Sequence, residues 1–145
     1  MGARPLSLDT MIELFILDSS VIVSDLRTGR YSLRIAELKG IPRSSSVVLA
    51  ELWRGATSPV DHKILRALER NHPILTPTEK NWLESGQLLA EIRADRGFEP
   101  AKLRELHFDV LIALTARSHG ATLITSNRAD FELIRAYRSF KLEVW

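Results

Sequence analysis

Phe108-Asp109-Val110-Leu111-Ile112-Ala113-Leu114-Thr115-Ala116-Arg117-Ser118-His119-Gly120-Ala121-Thr122-Leu123-Ile124-Thr125-Ser126-Asn127-Arg128-Ala129-Asp130-Phe131 reads as an apolar helix, a stop, a strand and a second helix start. Asp109 opens the helical run Val110–Leu114. His119 before Gly120 places a cation and a left-handed stop where a helix C-terminus favours both. Thr122–Thr125 is a short β-branched strand, and Asp130–Ala136 a short helix. Helices alternating with buried strands imply a parallel sheet covered on both faces.

The same alternation extends outward. Glu13–Leu17 is a buried strand ended by Asp18-Ser19-Ser20, and Ser19 or Ser20 caps a helix running to about Gly29. A second helix spans about Ser32–Lys39, stopped by Gly40-Ile41-Pro42. A short strand near Arg43–Ser45 leads into a helix over Val47–Arg54. Ser58-Pro59-Val60-Asp61 gives a helix start with serine at the cap, proline at N1 and an acid at N3, and Ile64, Leu65 and Leu68 form the buried stripe of that helix. Pro73–Thr76 is a short strand. Thr78-Glu79 begins a long helix with Trp82, Leu83, Leu88, Leu89 and Ile92 inward, ended by Gly97. Pro100 starts a helical region that reaches His119 with a break near His107, and Phe140–Val144 alternates as a last strand. One domain covers residues 12–145. Residues 1–11 read as a loose N-terminal extension, with Met1 or Met11 as the start.

Composition bounds the function. The 145 residues are the length of one domain, with 45% hydrophobic and 26% charged residues, as in an ordinary globular protein. With no cysteine, thiolate metal sites, disulfides and cysteine nucleophiles are excluded. No apolar run nears the ~20 residues of a membrane span. The first ten residues lack the apolar core of a signal peptide, so the chain reads as cytoplasmic. The net charge is +2 and the cations are mostly arginine, the side chain suited to bidentate phosphate contact. His62, His72, His107 and His119 form no HxxxH or HxH pair, which argues against zinc. Neither a GxSxG elbow nor a GxxxxGK[ST] loop is present.

Four acids fall where an α/β sheet gathers them. Asp18 follows Leu14–Leu17, Glu51 follows Val47–Ala50, Asp109 lies in an apolar segment, and Asp130 lies just past Thr122–Thr125. In a parallel sheet the carboxyl ends of the strands share one crevice. Carboxylates crowded there repel, and a hard cation relieves the cost. Each acid also has a plain structural use: Asp18 and Asp109 as helix caps, Glu51 as an exposed helix residue, Asp130 as the start of a short helix.

Taken together, the motifs resemble PIN-domain ribonucleases, most closely the VapC-like toxins of toxin–antitoxin modules. Residues 108–131 are similar to that family's signature, Leu17-Asp18-Ser19-Ser20-Val21-Ile22 to its opening motif, and Leu49-Ala50-Glu51-Leu52-Trp53-Arg54-Gly55-Ala56 to its second. The resemblance implies a three-layer α/β/α sandwich around a five-stranded parallel sheet. It implies that Asp18, Glu51, Asp109 and Asp130 bind one or two Mg²⁺ or Mn²⁺ ions and hydrolyse RNA phosphodiester bonds. Ser19, Ser20, Thr125 and Asn127 would then position the phosphate or a metal-bound water. It further implies a homodimer and a small antitoxin that blocks the site; charge complementarity then predicts that this inhibitor directs a basic residue at the acids. Two positions depart from the pattern. Ser20 stands where the family often has asparagine, and Asn127 adds no negative charge, so the fourth carboxylate role falls on Asp130. The alternatives are a non-catalytic nucleic-acid- or partner-binding module, a DNA nuclease on the same fold, and a receiver domain. The last would need an acidic pair after the first strand and a late lysine, whereas the sequence offers Asp18 alone there and no lysine near Asp130.

Overall fold

The computed structural model describes residues 12–145. The expectations for residues 1–11, including the choice of start, lie outside the described residues. The chain order is β1 (Leu14–Leu17), α1 (Ser19–Thr28), α2 (Ser32–Ala36), β2 (Ile41–Ser45), α3 (Ser46–Gly55) and α4 (Pro59–Asn71), then β3 (Ile74–Leu75), α5 (Glu79–Arg96), α6 (Pro100–His119), β4 (Thr122–Thr125), α7 (Arg128–Tyr137) and β5 (Lys141–Val144). The five strands form one sheet in the order β3-β2-β1-β4-β5, and every pair is parallel.

Strand alternation sets the two faces. Ile16 pairs in register with Leu123, and Leu17 with Ile124. Ile16 and Leu123 therefore face one way, where they join the larger core with Val48, Leu52, Leu65, Leu88, Ile92, Leu111, Phe131 and Ile134. Phe15 and Ile124 face the other way and pack with Val21, Tyr31, Ile35 and Leu38. Helices α3 to α7 thus cover one face and α1 and α2 the other, giving the three-layer sandwich. Each fully buried Leu, Ile or Phe in these layers contributes about 2 kcal/mol.

Local signals explain the element ends. The Ser45 hydroxyl accepts from Val47 and Val48 N–H and caps α3. Ser58 accepts from Asp61 N–H with Pro59 at the first helical position. Thr78 and Asn81 form a reciprocal capping box at α5. Gly29 (φ 68°) and Gly120 (φ 61°) close α1 and α6 in the left-handed conformation, turning α6 straight into β4.

Four expectations need correction. Trp82 and Leu83 point outward, 51% and 65% exposed. The buried line of α5 is instead Asn81, Ser85, Leu88 and Ile92, whose i, i+4, i+7, i+11 spacing sets the helix phase; Asn81 is held by the Ser118 hydroxyl and Ser85 contacts His107. No break occurs near His107: α6 is one helix of 20 residues. Consequently Asp109 lies within α6 and caps nothing. Helix α2 ends at Ala36 rather than near Lys39. The residue at the N-cap of α1 is Asp18, not a serine, and its side chain makes no cap hydrogen bond.

Candidate metal centre

The chain runs from β1 to β2 and β3 on one side of the sheet, then returns to place β4 and β5 on the other. The switch between the two directions lies between β1 and β4, where open α/β sheets hold their ligands. Asp18 ends β1 there. Its backbone N–H donates to Ile124 O at 2.9 Å, so the side chain is fixed at the sheet's lip.

Asp18 is 3% exposed. Its Oδ2 accepts two hydroxyls, from Ser20 and from Thr125, each at 2.8 Å. Each hydroxyl is satisfied in turn by a backbone N–H: Ser126 donates to Ser20 Oγ at 3.2 Å and Asn127 to Thr125 Oγ1 at 2.9 Å. The donor count closes on one carboxylate oxygen and stops there. Asp18 Oδ1 is buried and has no partner among the described residues, and the same is true of Glu51 Oε1. An unpartnered buried polar atom costs on the order of 1–3 kcal/mol, more when charged.

Glu51 reaches the same place from α3. Its neighbours Val47, Val48, Leu49 and Leu52 are buried, so the first two turns of α3 are held against the sheet and Glu51 is half-buried at its end. Burial pushes its carboxyl up to about 6, with the nearby Asp18 charge adding to the rise; Arg54 and the Ser19 hydroxyl pull it back. Asp109 arrives from the middle of α6, just before the buried run Val110–Ala116. Burial raises its carboxyl to about 8, and Asp18, Glu51 and Asp130 all push the same way against Lys102.

A cleft of about 690 Å³ opens over these groups. Asp18, Ser19, Ser20, Glu51, Asp109 and Asn127 line it, together with Ser24, Arg27, Thr28 and Glu105. Six of the eight sequence-predicted site residues therefore share one cleft. Thr125 lies beneath Asp18 as its holder. Asp130 stands behind Asn127, its Oδ1 3.0 Å from Lys102 Nζ and its Oδ2 3.2 Å from Asn127 Nδ2. Asn127 caps α7 through Asp130 N–H, so its amide already has structural duties.

Two residues were not anticipated from the sequence. Glu105 lies one turn before Asp109 on the same helix face, and Lys102 two turns before; their periodicity relative to Asp109 is the signal that finds them. Arg27 is brought to the cleft by the last turn of α1.

The donor set suits a hard divalent cation: oxygen ligands only, excess negative charge, and two buried oxygens lacking partners. Among the described residues no three Asp, Glu or His side chains close into a ready-made metal cage. Mg²⁺ is commonly held by one or two carboxylates and keeps several waters, so an open acidic cleft meets its needs.

The PIN domain family model matches residues 15–137, which span β1 to the last turn of α7 and include every acid described above. The chain belongs to the PIN domain family. The fold of this PIN domain resembles that of VapBC2 from Rickettsia felis, a structure bound to a DNA fragment from its promoter. The identity is 24%, the TM-score 0.68, and the match covers 91% of this chain and 98% of that one. It also resembles VapBC-1 from nontypeable Haemophilus influenzae, at 22% identity, the same coverages and a TM-score of 0.69. A third is VapBC-5 from Mycobacterium tuberculosis, a member of the VapBC family of toxin–antitoxin systems, at 22% identity and a TM-score of 0.62. At such identities the likeness is one of fold. No curated protein matches the chain. No helix of this PIN domain among the described residues is long and apolar enough to cross a membrane.

Proposed function

We propose that this PIN domain is a Mg²⁺- or Mn²⁺-dependent endoribonuclease that acts as the toxin of a toxin–antitoxin pair. One observation carries the reading. Asp18 is buried with one oxygen clamped by two hydroxyls and the other open, in a cleft that Glu51 and Asp109 also line. Family membership and the likeness to the VapBC structures give the reading its chemical class.

Asp18, Glu51 and Asp109 would hold the ion, with Asp130 at its outer side. When bound, the ion supplies positive charge against the scissile phosphate and lowers the pKa of water. The chain's own groups do the rest. Ser20 and Thr125 lock the Asp18 rotamer, so the open Oδ1 meets its ligand without reorganisation. Glu51 has one free oxygen, Oε1, which would either ligate the ion or, with the carboxyl raised to about 6, take a proton from the attacking water near neutral pH. Ser19 and Asn127 line the cleft where phosphate oxygens would rest, and Arg27 stands at its edge. A small antitoxin would cover the cleft and place a basic side chain among the acids, since such pairing is favourable once water is excluded. A homodimer is part of the same proposal.

The test is direct. Purified protein is mixed with structured RNA and, separately, single-stranded DNA, in Mn²⁺ and in EDTA, beside Asp18→Asn. RNA cutting that needs both the ion and Asp18 supports the enzyme. Binding without cutting under every condition overturns it in favour of a binding module. Growth arrest on expression, relieved by co-expression of the adjacent small reading frame, tests the toxin assignment separately.

A further inference from the structure

The two halves of the acidic set are not equivalent. Asp18 and Glu51 each keep a buried oxygen without a partner. Asp130 keeps none free: Lys102 takes one oxygen and the Asn127 amide the other. To ligate an ion, Asp130 would have to give up one of these, and the incoming dication would sit beside an ammonium. Lys102 and Asp109 are seven residues apart on α6, two turns along one face, and the Asp130 that the ammonium holds contacts Asn127 of the cleft lining. The ammonium's charge acts on Asp109 against the three surrounding carboxylates.

We propose that Lys102 takes the place of a second divalent ion in this PIN domain: its ammonium, 3.0 Å from Asp130 Oδ1, supplies the positive charge on that side, leaving Asp18, Glu51 and Asp109 to hold one ion. The inference rests on the nuclease reading above and refines it. Asp130 then serves to hold Lys102 rather than metal. Lys102 becomes a positioning residue for charge, fixed by Asp130 as Asp18 is fixed by Thr125.

Metal stoichiometry tests this without recourse to activity. Metal-free protein is titrated with Mn²⁺, and bound ions per chain are counted by equilibrium dialysis and by the loss of the free-ion spectroscopic signal. Wild type is expected to bind one ion. Lys102→Gln frees Asp130 and is expected to bind two, Lys102→Arg one, and the double variant Lys102→Gln/Asp130→Asn one again. The lysine is about one-third exposed, so these variants are expected to keep the wild-type circular dichroism. Two ions in wild type, or one in Lys102→Gln, would overturn the proposal and leave the nuclease reading intact. No ion in any variant would overturn the nuclease reading itself.

Discussion

The Thr125 hydroxyl donates to Asp18 Oδ2 at 2.8 Å across a sequence separation of 107 residues. This bond joins the ends of β1 and β4 and fixes the carboxylate on which the site is built. Thr125 is fully buried, so Thr125→Val removes the donor, strands the Asn127 N–H and ends the 3.2 Å contact with Ser20 Oγ. It is expected to cost about 1–3 kcal/mol in urea denaturation of the metal-free protein. Thr125→Ser keeps the hydroxyl and is expected to lose no more than about 1 kcal/mol. Equal stability of Thr125→Val and wild type would show that the clamp contributes nothing.

Metal-free stability should fall as pH rises. Glu51 is raised to about 6 and Asp109 to about 8, so the folded chain holds protons that the unfolded chain releases at ordinary carboxylate values. The folded state binds more protons between about pH 4 and pH 8, and the slope of stability against pH is negative there. Asp109→Asn removes the upper part of that slope. At pH 8.5 in EDTA it is expected to be at least ~1 kcal/mol more stable than wild type, the worth of one pK unit. Thermal melts at several pH values read both effects.

A divalent ion should reverse the trend. Mn²⁺ at a hundredfold excess over its Kd is expected to stabilise wild type by about 2.7 kcal/mol. The apparent affinity should strengthen from pH 5.5 to 8.5, because the ligating carboxylates must first lose their protons. Asp18→Asn is expected to show no Mn²⁺-dependent shift in Tm. A shift of wild-type size in that variant would place the ion elsewhere.

Arg27 is the cation in the cleft's lining, and its expected role is to meet a phosphate next to the cutting site. Arg27→Gln should weaken RNA binding in EDTA and reduce the slope of log K against log salt by about 0.7, the value for one contact to a single strand. An unchanged slope removes Arg27 from the RNA path.

Gly40 sets how closely the turn into β2 approaches β1. A Cβ there would collide with the Glu13 carbonyl and the Phe15 ring. Gly40→Ala is expected to destabilise by about 1–3 kcal/mol, as overpacking does. Because Gly40 is remote from the acids, Mn²⁺ stoichiometry should stay that of wild type.

Much of this fold is written locally. Leu14–Leu17 and Thr122–Thr125 read as strands because they are short, apolar and bounded by turn residues, and the helix starts at Ser58 and Thr78 follow from their caps. Trp82 and Leu83 misled because side-chain hydrophobicity does not fix the phase of a helix. Two small polar residues, Asn81 and Ser85, are buried there by partners on α6 that lie far off in sequence. His107 suggested a break because Asp109 looked like a cap, yet a carboxylate within a helix is tolerated where it opens on a cleft. The grouping of Asp18, Glu51 and Asp109 followed from the motifs. The tie between Lys102 and Asp130 did not, since a surface lysine and its partner 28 residues away leave no local pattern.

The bond between Asp18 and Thr125 also has a consequence for biosynthesis. Ribosomes deliver residue 18 early and residue 125 late, and β4 must leave the exit tunnel before it can pair with β1. Until then the carboxylate lacks the Thr125 hydroxyl, and β1 has β2 as a neighbour but not β4, on whose side the crevice lies. The clamp on Asp18 is therefore among the last features of the site to form during synthesis, after most of the chain has been made.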